Sequence, residues 1–340
     1  MKKDTLKSYL INLLAIVILF IIMKMLISNG ILNRYYVGII VFIGVNIILA
    51  SSLNIATGFL GQLALGHAGF MATGAYTSAI TSMAIIESIE NGVIIGMPNI
   101  LILIISLIAA GVVSLLVSLI IGIPSLRLRG DYLGIITLGF GEVIRVFINN
   151  IKVTGGAQGL TGIPGLTNFD NTFWITVFVI FVLYTFTNSK HGRAIISIRE
   201  DEIAAEAVGI PTTFYKVLGF STAAFFGGVG GGLYAHYLAF LDPNIFGFMR
   251  SVEILVIVVL GGMGSLTGSI IAAIVLTILP EALRDFAQYR LLIYSFLLVA
   301  MMIFRPQGLF GTTEFSMKMF FHKIRYNQIF SPRKEVKDGD

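Results

Sequence analysis

The stretch "GFLGQLALGHAGFMATGAY", Gly58 to Tyr76, decides how this chain is read, because it carries five glycines, four alanines, a glutamine and a histidine. Its surroundings are far more apolar. The mean hydropathy of the chain is +0.91, 56% of its residues are hydrophobic and only 12% are charged, against about 25% charged in a soluble domain. Glycine lowers helix stability by about 1 kcal/mol relative to alanine, and a polar side chain in hydrocarbon costs more still. On a continuous helix Ala64, Ala68, Ala72, Ala75 and Ala79 would share one stripe, suited to close helix packing. Leu60, Leu63, Phe70 and Met71 would lie opposite with His67 among them. Either that bulky face meets protein or the helix breaks near Gly66. The break is the reading adopted, with the His67 ring bracing backbone groups freed by it rather than binding a substrate or relaying protons.

Working outward, apolar runs of spanning length recur at about 37–54, 66–86, 99–122, 132–150, 173–188, 216–240, 251–280 and 290–304, each near the roughly 20 residues that cross a hydrocarbon core. They are continuously apolar and lack the alternation of a barrel strand. The fold class is therefore all-α: a polytopic integral membrane protein of about 8–10 transmembrane helices, some interrupted by glycine as broken or re-entrant segments. Lys2, Lys3 and Lys7 before the run Leu10–Met23 imitate a signal peptide, but no small-residue cleavage site follows. This run reads as an uncleaved first span with a cytoplasmic amino end.

Basic residues test that orientation. Arg127 with Arg129, and Lys190 with Arg193 and Arg199, fall in two loops that come out cytoplasmic, while loop 87–98 holds Glu87 and Glu90 with no Lys or Arg. The tail, with Lys318, Lys323, Arg325, Arg333, Lys334 and Lys337, should also be cytoplasmic. Counting each run as one crossing leaves it outside. A broken helix, a re-entrant helix or an extra crossing at "LGGMGSLTGS", residues 260–269, restores the parity. Such backbone is tolerated at membrane depth only where protein or a water-filled cavity covers it. Two glycine-interrupted segments, one in each half, suit a transporter built from repeats. They make Gly61, Gln62, Gly66, His67, Gly69, Gly261, Gly262 and Gly264 the candidate pathway residues.

Remaining polar residues suggest structure more than chemistry. Glu142 and Arg145 stand three apart and read as an ion pair. Glu253 lies within reach of Arg250, and Asn46 and Asn54 share a face for hydrogen bonds between helices. The chain has no cysteine and no G-x-x-x-x-G-K-[ST], and its four histidines have no metal spacing. No nucleotide site, metal, cofactor or enzymatic activity is expected.

The most informative polar stretch is "NSKHGRAIISIREDEIAAEAVGIP", residues 188–211. It reads as one helix over 193–209, preceded by Gly192 and stopped by Gly209 and Pro211. Its acidic end suits a protein partner better than an anionic leaflet. Within it, "IREDEIAAEAVGI" resembles the coupling loop of ABC importer permeases, patterned E-A-A-x-x-x-G. Ala204, Ala205 and Gly209 occupy that pattern, but Ile203 stands at the glutamate position with Glu202 just before it. With "GQLALGHAGFMATGAYTSA", "RLRGDYLGIITLGFGEVIR", "TGGAQGLTGIPG" and "VVLGGMGSLTGSIIAA", the chain resembles the branched-chain amino acid permeases of the LivM type over about residues 37–310.

That resemblance implies a single permease domain over 1–311, containing a cytoplasmic coupling loop at 188–215, and a basic cytoplasmic tail at 312–340. Arg199, Glu200, Asp201, Glu202, Ala204, Ala205, Glu206 and Gly209 would couple to the ATPases. The implied partners are a LivH-like second permease subunit, two LivG/LivF-like ATPases that hydrolyse the ATP, and a periplasmic or lipid-anchored binding protein for leucine, isoleucine or valine. Loop 151–172 is the candidate surface for that binding protein. The expected location is the bacterial cytoplasmic (inner) membrane, with both termini cytoplasmic. Permeases for urea, short amides or other amino acids are the alternatives within the family; an ATP-independent channel or a secondary transporter are those outside it.

Overall fold

A computed structural model describes residues 2–93, 96–126 and 132–283, with isolated positions beyond at 289, 295, 296, 299, 303, 304, 308 and 311. Among the described residues the long elements are all helical: α1 (Lys2–Ser28), α2 (Arg34–Asn54), α3 (His67–Glu90), α4 (Asn99–Ser125), α5 (Tyr132–Asn150), α6 (Phe169–Asn188), α7 (Lys190–Glu200), α8 (Glu202–Ala207), α9 (Thr212–Leu238), α10 (Phe248–Gly261) and α11 (Leu266–Ala282). Residues 34–312 make one compact unit, and α1 belongs to another. The span expected at 290–304, the basic pair Arg127 and Arg129 and the tail at 312–340 lie outside the described residues.

Among the described residues five stretches are long and apolar enough to cross a membrane: Arg34–Phe59, Asn99–Ser125, Tyr132–Asn150, Phe169–Asn188 and Thr212–Leu238. Their burial does not follow their hydropathy. α4 is the most apolar but only 39% buried, with Ile108, Leu116 and Ile120 facing outward, whereas α9 is the least apolar and the most buried. A helix bathed in lipid must be apolar on its outer face. One enclosed by other helices is selected instead for close approach.

The glycine run Gly227–Gly232 of α9 shows that selection. A Cβ at Gly228 would lie 2.7 Å from the Ala110 carbonyl of α4, and one at Gly231 would lie 2.0 Å from the Met71 carbonyl of α3. Gly74 of α3 faces Gly228 in turn, where a Cβ would meet its carbonyl at 2.2 Å. Backbones therefore touch directly along α3, α9 and α4. Several buried serines in this core return their hydroxyl to a carbonyl of their own helix, as Ser82 does to Ala79 at 2.8 Å and Ser106 to Ile102 at 2.8 Å.

The 251–280 region, where a broken helix, a re-entrant helix or an extra crossing is expected at 260–269, is two helices. Asn46 Nδ2 donates to Thr277 Oγ1 of α11 and its Oδ1 accepts from Arg250 of α10, both at 2.9 Å. Two turns further along α2, Asn54 Oδ1 accepts from the Gly264 amide at 2.9 Å, while its Nδ2 donates to the Ser265 carbonyl at 2.9 Å and Ser269 Oγ at 2.8 Å. α10 thus descends from the level of Asn46 to that of Asn54, and α11 climbs back antiparallel to it. The turn occupies 262–265, with φ of +112° at Gly262 and +87° at Gly264, values that L side chains rarely adopt. Backbone of Gly308 and Gly311 covers Gly262.

The Gly58–Tyr76 stretch behaves differently from either half of that hairpin. α2 runs on through a π-helical turn at Ile55–Phe59, residues 60–66 are not helical, and α3 begins at His67 with Gly66 as its N-cap. The alanine stripe is fully buried, but so are Leu60, Phe70 and Met71 opposite, leaving only Leu63 exposed. Protein encloses both faces.

Candidate functional site

The 188–211 segment departs from the expected single helix. α7 begins at Lys190 and includes Gly192, Asp201 is extended (φ −157°), and α8 starts afresh at Glu202. The reason is local: Asp201 Oδ1 accepts from the Ile203 and Ala204 amides at 2.9 and 3.0 Å, capping a new helix in the manner typical of aspartate. Gly192 permits the sharp fold of α7 onto α6, since a Cβ there would lie 2.2 Å from the Thr187 carbonyl. Gly209, at φ +85°, follows the end of α8, and Pro211 is the N-cap of α9.

This break sorts the coupling candidates into two sets. Ile195, Ile198 and Ala205 are buried against the chain. Glu202 also turns inward, where its carboxylate pairs at 2.7 Å with Lys216 of α9, a side chain only 4% exposed. Facing outward are Glu200, Asp201, Ala204, Glu206 and Gly209, around Ile203 at 71% and Val208 at 78% exposed. The outward set is an apolar patch rimmed by carboxylates. Arg199 belongs to neither the patch nor the core. Its Nη1 donates to the Gly58 carbonyl at 2.8 Å while Nε and Nη2 engage Glu200.

Gly58 brings the two glycine-rich segments together. A Cβ on it would lie 1.8 Å from Asn54 Oδ1 and 2.2 Å from the Gly264 amide. Among the pathway candidates, Gly61 (φ +74°) packs on the Arg199 stem and Gly264 on its guanidinium, Gly261 abuts Gly268, and Gly66 and Gly69 abut Gly141 of α5. Gln62 is half-buried. Hydrogen bonds from Leu65 N to Thr137 Oγ1 (3.1 Å) and from Ala68 N to Ser251 Oγ (3.0 Å) hold the start of α3 to α5 and α10. A cavity of about 10 Å³ lies there, lined by Leu65, Ala68, Leu138, Glu142, Phe248 and Ser251 among others. That is room for about one water.

His67 is 1% exposed, with Nε2 hydrogen-bonded at 3.0 Å to Ser52 Oγ, which itself donates to the Leu49 carbonyl. The ring therefore joins α3 to a hydroxyl on α2 and fills the space left by Gly227, where a Cβ would sit 2.8 Å from the imidazole. Glu142 and Arg145 pair at 2.7 Å; Glu142 also accepts from the Phe248 amide and Arg145 donates to Asn244, so the pair anchors the start of α10 on α5. Arg250 and Glu253 pair at 2.9 Å.

At the other end of α9, His236 Nδ1 lies 2.9 Å from the Pro164 carbonyl, which can only accept, so Nε2 accepts from Ser78 Oγ at 2.9 Å. With the Leu160–Leu241 bridge, this fastens loop 151–168 to the bundle. Among the described residues no cluster of His, Asp or Glu could hold a metal ion.

Reading residues singly misses Lys216, Ser52, Thr137 and Ser251. Only Lys216 carries a signal of its own, as a lone cation next to an apolar run, which demands a partner.

Comparison with known proteins agrees with this architecture. The family described as "Branched-chain amino acid transport system / permease component" matches residues 35–305. Its first matched residue lies one past the start of the compact unit. The high-affinity branched-chain amino acid transport system permease protein LivM of Salmonella typhimurium is 37% identical over 308 residues, covering 80% of this chain and 69% of that protein. LivM of Escherichia coli K12 is 35% identical, covering 90% of this chain and 76% of its own length. The LivH permease of Escherichia coli K12 is 29% identical over 175 residues, about half of each chain. No solved structure matches. This all-helical, multi-pass membrane chain belongs to the permease components of the branched-chain amino acid transport systems.

Proposed function

We propose that this chain is the membrane permease subunit of an ABC importer that moves leucine, isoleucine and valine into a bacterial cell across its inner membrane. A LivH-like subunit completes the pore, two ATPases bind from the cytoplasm, and a binding protein delivers substrate to the outer face around loop 151–168. The chain itself binds no nucleotide and catalyses no reaction.

The observation that carries this reading is the patch on α8. Ile203 and Val208 stand exposed between Glu200, Asp201 and Glu206, on a segment whose opposite side is fastened by Ala205 and the Glu202–Lys216 pair. An exposed apolar pair with a carboxylate rim suits insertion into a groove of another protein. The anionic surface of a cytoplasmic leaflet would repel it. The α10–α11 hairpin supports the topology, because its added reversal returns a basic tail to the cytoplasm when the amino end is cytoplasmic. The cavity at the start of α3, at about 10 Å³, is far smaller than an amino acid.

The test is co-expression with the neighbouring transport subunits and reconstitution in liposomes with the binding protein. ATP-dependent leucine uptake is expected in the parent. Ile203→Glu with Val208→Glu should abolish it while the two permease subunits still co-purify. Uptake driven by an ion gradient, or uptake by the purified chain alone, would overturn the reading.

A further inference from the structure

Arg199 reaches from the docking segment into the contact between the two glycine-rich breaks. Its Nη1 meets the Gly58 carbonyl at 2.8 Å, its stem lies on Gly61, and its guanidinium lies on Gly264. The backbone bonds of this turn run from Leu60 N to the Ile55 carbonyl and from Gln62 N to the Ala56 carbonyl. The Gly58 carbonyl is left for Arg199. Asn54 holds Gly264 from the other side, so an arginine and an asparagine together clasp the end of α2 to the α10–α11 turn. Nε and Nη2 of the guanidinium both donate to Glu200, whose side chain is 66% exposed on the docking face.

We infer that Arg199 is a positioning residue of the transport cycle: held by Glu200, it keeps the two breaks closed on each other, and a partner that engages Glu200 releases them. This rests on the importer reading for its cycle but not for the contact itself. The chemistry is specific to arginine. Its fork satisfies a carboxylate and a carbonyl at once, whereas a lysine ammonium on a single stem cannot span both in the same geometry.

The chain has no cysteine, so one engineered thiol reports on one place. Thr57 adjoins Gly58, is 5% exposed, and its hydroxyl has no hydrogen-bond partner. Thr57→Cys therefore removes no hydrogen bond. Ser106→Cys in α4, fully buried and bonded only within its own helix, is the control. In membranes containing the assembled transporter, labelling by a membrane-impermeant maleimide is timed in each thiol variant with Arg199, Arg199→Lys and Arg199→Ala.

Arg199→Ala should raise the labelling rate at position 57 about tenfold, the shift allowed by losing one charge-assisted hydrogen bond, with Arg199→Lys in between. The rate at position 106 should stay unchanged. An unchanged rate at 57, or equal rises at 57 and 106, overturns the inference. Should the alanine variant fail to assemble, the lysine variant decides by the same criterion. The readout needs no uptake. Failure of the importer reading appears instead as a parent protein that labels as described but transports nothing with ATP.

Discussion

The contact between α3 and α9 allows the packing argument to be tested in isolation. Gly74→Ala adds one methyl group, whose carbon would lie 2.2 Å from the Gly228 carbonyl oxygen and 2.3 Å from Gly228 Cα. Ordinary contact begins at about 3.4 Å, so the two backbones must part by about 1 Å. Both atoms are main chain, and no side-chain rotation relieves the clash. α9 cannot simply retreat, because Gly228 also abuts the Ala110 carbonyl and Ser114 of α4. Overpacking of this kind costs about 1–3 kcal/mol.

The same substitution at Gly139 of α5 meets nothing within 4 Å. There alanine gains helix propensity worth up to about 1 kcal/mol. Chemically identical changes in two helices of one bundle should therefore have opposite signs. Thermal melting of the solubilised permease, followed by size-exclusion chromatography, should place Gly74→Ala several degrees below the parent and Gly139→Ala at or above it. If Gly74→Ala melts with the parent, the backbone contact between α3 and α9 is not what holds the bundle, and the reasoning fails.

Glu202→Gln should destabilise by about 3 kcal/mol, because it leaves the buried Lys216 cation without its partner, and adding Lys216→Met should restore most of the loss; the same melting assay reads both. For His67, a double-mutant cycle with Ser52→Ala and His67→Ala should show a coupling of about 1 kcal/mol, the scale of an interhelical hydrogen bond in a membrane. Leucine uptake per folded transporter should survive Ser52→Ala. Loss of uptake in His67→Ala without loss of stability would instead give the ring a direct part in transport.

Much of the fold is legible because the solvent imposes it. The runs at 37–54, 99–122, 132–150, 173–188 and 216–240 each coincide with a described helix to within a few residues, since the length of an apolar run is set by the hydrocarbon core. The glycines at 60–66 and 262–265 are legible as departures from helix for a similarly local reason. The split at Asp201 is less visible. Aspartate within a polar helix and aspartate at a cap look alike until the backbone there is seen to be extended.

The sequence by itself determined that the chain is a helical membrane protein and that its backbone is unusual near residues 60 and 262. Each follows from composition, periodicity or turn chemistry, which act over a few residues or through the solvent. Only the tertiary structure decided that the two unusual places touch at Gly58 and Gly264, that Asn54 and Arg199 close on them, and that His67 answers Ser52. Those contacts join residues as many as 211 positions apart. They depend on how closely glycine lets two backbones approach, and no local pattern records which glycine will meet which.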